Sequence, residues 1–94
     1  MASEGSLEKY LIAQCNAHRI LIRKLQAVGR VGFPDRTLIY GGQVIFVELK
    51  SPTGKGRLSK MQEREILKLR DVGAEVRVVM TREQVDDVIT EIIK

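Results

Sequence analysis

The pair Gly41-Gly42, set between β-prone runs at residues 36–40 and 43–49, is the feature that most narrows how this chain can fold. Two glycines adopt the positive φ values of a two-residue hairpin turn, so the runs are expected to fold back as antiparallel neighbours. Such a loop pairs Tyr40 with Gln43, and stepping outward in that register sets Asp35 directly opposite Glu48. Facing residues have Cβ atoms about 4.5–5.5 Å apart, which would leave two carboxylates side by side. Like charges held so closely call for a neutralising partner, and hard Mg²⁺ takes oxygen ligands while keeping several waters. Lys50, two residues beyond Glu48, falls on the same face. The intervening Leu49 turns its side chain to the other face and leaves its backbone carbonyl available as a further donor. The plainer alternative makes Asp35 a turn residue after Pro34, and Glu48 and Lys50 an ordinary surface ion pair. It explains less well why an acid and a base interrupt the end of the apolar run Val44-Ile45-Phe46-Val47 opposite a second acid, because buried charge is costly unless paired or metal-bound.

The elements around the hairpin follow from periodicity. From Ser6 to about Ala17, Leu7, Tyr10, Leu11, Ala13 and Ala17 recur at helical spacing. The next segment, Ile20-Leu21-Ile22-Arg23-Lys24-Leu25-Gln26, reads either as a continued helix or as a strand, and a strand over about 20–26 is favoured because the helix would otherwise run long and uncapped. The apolar run at 44–47 suits a strand covered on both faces. Ser51-Pro52 breaks it, and Thr53-Gly54-Lys55-Gly56-Arg57 reads as a basic loop. Ser59 then opens a helix that Gly73 is placed to end, Val76, Val78 and Met80 alternate in a further strand, and Thr81 with Gln84 has the spacing of a capping box before a last helix. The expected architecture is a single small α/β domain spanning 1–94, in the order α-β-β-β-α-β-α, with a mixed central sheet flanked by helices.

At 94 residues the chain lies near the lower limit for a self-sufficient core, so a homodimer is plausible on size alone. Apolar runs are too short to cross a membrane, the first residues lack a secretory pattern, and Cys15 has no partner in the chain, which together suit a cytoplasmic, reducing setting. A net charge of +4 favours polyanionic partners only slightly by itself; its placement says more. Arg30, Arg36, Lys55, Arg57, Lys60 and Arg64 cluster in sequence around the hairpin blocks, where they can grip phosphates without reading bases, or else form a solvated basic surface. The single histidine, His18, weakens readings that need a zinc site.

Gly32-Phe33-Pro34-Asp35-Arg36 and Phe46-Val47-Glu48-Leu49-Lys50 resemble the G-x-P-D-R and F-v-E-l-K blocks of the PD-(D/E)XK nuclease superfamily, most closely its virus-type replication-repair nuclease (VRR-NUC) branch. The likeness continues through Arg57-Leu58-Ser59-Lys60-Met61-Gln62, similar to that branch's R-L-S-x-x-Q helix start, and the Val76-Arg77-Val78-Val79 strand. It implies a restriction-endonuclease-like core, Asp35 and Glu48 as metal ligands, Leu49 as a ligand through its carbonyl, and Lys50 as the catalytic lysine. It also implies that Gln62 positions water or substrate, although Gln62 has capping-box spacing to Ser59, and that Glu8 reaches the metal through water, although a glutamate there also suits an exposed helical face.

The reaction implied is phosphodiester hydrolysis with one or two Mg²⁺ or Mn²⁺ ions, leaving 5′-phosphate and 3′-hydroxyl ends. Stand-alone VRR-NUC domains resemble Holliday-junction resolvases, so a homodimeric enzyme acting on branched DNA is the preferred expectation, in the phage or bacterial replication and repair setting that the family name suggests. A nuclease directed to flaps, nicks or ends is one rival; a basic DNA-binding module without activity is another.

Overall fold

The computed structural model describes residues 4–51 and 57–94. Its elements are α1 (Glu4–Ala17), β1 (Leu21–Arg23), β2 (Arg36–Tyr40), β3 (Gln43–Leu49), α2 (Lys60–Asp71), β4 (Glu75–Val79) and α3 (Arg82–Ile92), in the order expected from periodicity. The strands form one mixed sheet in the order β1-β2-β3-β4, antiparallel except for the parallel pair β3-β4.

Gly41 and Gly42 both take positive φ, 56° and 82°, and the β2-β3 ladder runs from Tyr40↔Gln43 to Arg36↔Val47. The ladder ends there, one step short of Asp35 and Glu48, whose carboxylates lie close enough to interact. The parallel crossover to β4 passes through α2 and sets Glu48 beside Val78 and Leu49 beside Val79.

Three local expectations are corrected. The strand expected over 20–26 is only Leu21–Arg23: Arg23 already faces Thr37, so β2 has one residue left to pair before Asp35 and Pro34 end it. The apolar run at 44–47 is not covered throughout, since Val44 is 43% exposed at the hairpin end, which α2 leaves open. The Thr81 box is only half formed. Thr81 accepts from the Gln84 amide, but the Gln84 side chain accepts from the Met80 amide instead of reaching back to Thr81. At α2 the box is complete on Ser59 and Gln62, and Gly73 with φ 92° follows the helix end.

Period-two alternation sorts the sheet into two faces. On one, Leu38, Ile45, Val47, Leu49 and Val79 pack against Leu7, Leu11 and Cys15 of α1 and Val85, Val88, Ile89 and Ile92 of α3, forming the main core. On the other, Phe46, Glu48 and Val76 lie toward α2 and the 29–34 loop. Phe33 meets Phe46 edge to face at 5.4 Å, and Gly32 lies against the Met61-Gln62 backbone. The carboxylate of Glu48 therefore sits at the end of a central strand, beneath the first turn of α2. No helix among the described residues is long and apolar enough to cross a membrane.

Candidate active site

Glu48 is the central group of the site. It is 1% exposed, its Oε2 accepts from Gln62 Nε2 at 2.9 Å and lies 3.6 Å from the Lys50 ammonium, and its Oε1 is buried without a hydrogen-bond partner. Burial, and next the Asp35 carboxylate, push its pKa up to about 7 against the opposing pull of Lys50. Asp35 is tied to the end of β3, where its Oδ2 accepts from the Leu49 amide at 3.1 Å. Lys50 is anchored from the other side, its amide donating to Val79 O at 2.9 Å.

The alternation of those amides bears on Leu49. In a strand, a residue's N–H and C=O point to the same side. The Leu49 amide meets Asp35, so its carbonyl faces the Asp35 side as well, while its side chain stays in the core. Gln62 takes the capping role that its spacing to Ser59 allowed and in addition touches the site. Its Oε1 accepts from the Ser59 amide at 2.9 Å, completing the capping box, while its Nε2 holds Glu48. Capping orients the amide and aims its donor at the carboxylate.

Glu8 lies on the α1 side of the sheet but lines a cleft of about 230 Å³ with Gly5, Lys24, Asp35 and Leu49. One of its oxygens is held by Arg36 Nε at 3.0 Å. Lys24 went unnoticed in the sequence because a lone lysine after a strand carries no signal; only the β1-β2 pairing brings it to this cleft.

The basic residues separate by environment. Arg36 is half-buried and bound to Glu8, so it is not a free surface cation, and Arg30 pairs with the buried Glu65 at 3.0 Å. Arg57, Lys60 and Arg64 are exposed, whereas Lys55 lies outside the described residues.

Among the described residues no group of three or more histidine, cysteine, aspartate or glutamate side chains stands ready to enclose a metal ion. The donors at the strand end nevertheless fit a hard divalent cation that keeps part of its water shell: two facing carboxylates, one with an unpartnered buried oxygen, and a carbonyl turned toward the same side. Thiolate and imidazole ligands are missing from this cluster, which disfavours a zinc-type site.

No curated protein matches the chain. A solved structure titled "VRR_NUC domain" superimposes with a TM-score of 0.83 at 36% identity, covering 96% of this chain and 97% of that one. The VRR-NUC domain family matches residues 2–83, a span that includes Asp35, Glu48, Lys50 and Gln62. On the combined strength of sequence and fold, the chain belongs to the VRR-NUC domain family, whose members are nucleases of the PD-(D/E)XK type.

Proposed function

We propose that this nuclease is a Mg²⁺-dependent, structure-specific DNA endonuclease that hydrolyses phosphodiester bonds at the Asp35-Glu48-Lys50 cluster, with a homodimer acting on Holliday-type junctions as its preferred form. The observation that carries the reading is the buried Glu48, which faces Asp35 with one oxygen left unpartnered. A bare acid in that position costs the folded protein stability, and the cost is explained if the pair exists to hold a cation.

When bound, one or two divalent ions, Mg²⁺ or Mn²⁺, supply Lewis acidity at the phosphoryl oxygen. Asp35, Glu48 and the Leu49 carbonyl would hold that charge at the end of the sheet. Lys50, fixed beside Glu48, presents its ammonium to the attacking water and the phosphate, where it orients the one and offsets developing charge on the other. Gln62 fixes the carboxylate rotamer from α2, and its placement depends on the Ser59 cap. Glu8, which lines the neighbouring cleft together with Asp35, would order water there. The exposed Arg57, Lys60 and Arg64 lie on the α2 side, where they meet the phosphate backbone without reading bases.

Action on a junction would call for the symmetry that paired incisions require, a C₂ dimer presenting both sites on one face. Incubation with four-way, flapped and plain duplex DNA in Mg²⁺, Mn²⁺ or EDTA tests the proposal directly. Metal-dependent cutting with preference for the junction is expected. Preference for flaps or ends would transfer the assignment to a different nuclease class, and binding without cutting of any substrate would leave a DNA-binding module. Glu48→Ala and Lys50→Ala should abolish cutting while DNA binding largely survives.

A further inference from the structure

Along α2 lies a second feature, of which the reading above uses only Arg64. The 29–31 loop and α2 enclose a cleft of about 300 Å³ whose lining includes Arg30, Met61, Arg64, Glu65 and Lys68. Three cations face a single carboxylate there. Glu65 is buried and already paired with Arg30 at 3.0 Å, whereas the side chains of Arg64 and Lys68 make no hydrogen bond or ion pair among the described residues. The cleft therefore has two uncommitted positive charges.

Its position relative to the reacting centre is also set by the fold. Gly32 takes φ 92° and sits so close to α2 that an added Cβ would lie 2.8–2.9 Å from backbone atoms of Met61 and Gln62. The loop is thus docked on the same turn that presents Gln62 to Glu48. With a rise of 1.5 Å per residue, Arg64 stands about 3 Å and Lys68 about 9 Å along the helix from Gln62, one helical turn from each other. At about 3.6 residues per turn both cations fall on the flank of α2 turned away from Gln62, one above the other, which suits a polyanion that runs along the helix beside the site rather than over it.

Resting on the nuclease reading above, we propose that this cleft is a backbone seat for the DNA strand flanking the scissile phosphate, with Arg64 and Lys68 each taking one phosphate. Arg30 belongs to the wall, held by Glu65, and stiffens the loop against α2. The seat recognises charge spacing and shape with no base contact, which suits an enzyme that selects DNA structure over sequence. Lys68, which lies outside the motif blocks, becomes a substrate-binding residue.

The test is DNA binding by fluorescence anisotropy in EDTA across a salt series, comparing the wild type, Arg64→Ala/Lys68→Ala, and a charge-matched control, Lys9→Ala/Lys94→Ala, remote from the cleft. All four positions are exposed, and circular dichroism checks the folds. Each phosphate contact contributes about 0.9 to the slope of log K against log salt, so the cleft variant should lose a slope of about 2 and bind roughly 10- to 60-fold more weakly near 0.1 M salt. The control should keep the wild-type slope. A cleft variant that keeps that slope, or a control that loses as much, overturns the seat while leaving the nuclease reading standing. A wild type that binds no DNA at any salt overturns both. Thermal stabilisation of the wild type, but not the cleft variant, by inorganic phosphate alone, with DNA binding equal in the two, would assign the cleft to a free anion and overturn the backbone seat.

Discussion

Replacing Glu48 with glutamine should make the metal-free protein more stable, and only at neutral and alkaline pH. The carboxyl is 1% exposed, with its pKa raised by burial and by Asp35 from the ordinary 4.5 to about 7. A group whose folded pKa lies above its unfolded value contributes fully below the unfolded pKa, and that contribution is lost as pH rises through the folded one. In EDTA the wild type should thus lose stability between about pH 4.5 and 7, and the loss amounts to about 3 kcal/mol by pH 8. Glutamine keeps the shape, accepts from Gln62 and can donate toward Asp35, but carries no charge. Lys50 loses its counter-charge in the variant, which offsets part of the gain and leaves about 2 kcal/mol. For a domain of this length that corresponds to a Tm roughly 10 °C higher at pH 8, shrinking to nothing near pH 4. Thermal denaturation of both proteins at pH 4, 6 and 8 reads this directly. Millimolar Mg²⁺ should raise the wild-type Tm at pH 8 and leave that of Glu48→Gln unmoved. A variant no more stable than the wild type at pH 8, or equally stabilised at pH 4, would refute the claim that Glu48 is an uncompensated buried acid.

Three further outcomes test the frame around the site. Gly32→Ala forces a Cβ into the Met61-Gln62 backbone at a positive φ, so it should cost about 3 kcal/mol in urea denaturation and sharply reduce cutting; a neutral result would mean that the loop is not docked on α2. Ser59→Ala removes the α2 cap and one of the restraints on Gln62. It should cost about 1 kcal/mol, with threonine restoring most of it, and equal loss in the threonine variant would count against capping. Cys15 is wholly buried, and burial pushes its thiol up to about 11, so iodoacetamide at pH 8 should label it far more slowly in the native protein than in urea. Equal rates would show that α1 opens readily from the sheet.

The site needs one hairpin end and one helix start, both specified locally, and the α1-α3 layer on the opposite face supplies the packing that holds them. Asp35 immediately precedes β2 and Glu48 is the next to last residue of β3, so the two acids meet where the ladder stops.

Much of this was legible along the chain, for identifiable reasons. Gly41-Gly42 set the hairpin register, and that register, carried one step past the end of the ladder, anticipated that Asp35 and Glu48 interact, because pairing across a two-residue turn allows little freedom. The Ser59-Gln62 box was legible because capping is a local interaction, as were the element order and the two-faced pattern of β3. What tertiary structure decided were relations between distant segments. The length of β1 depended on where β2 ran out of residues to pair, and the exposure of Val44 on how far α2 extends over the sheet. Arg36 read as a phosphate grip until α1 brought Glu8 against it, and the Gln84 side chain turned to Met80 because the strand before α3 presented that amide first. Lys24, Glu65 and Lys68 had no local signature at all, since a cleft arises where separate segments meet. The sequence by itself determined which residues face one another across a turn; only packing determined which charges were already taken and which remained free for a ligand.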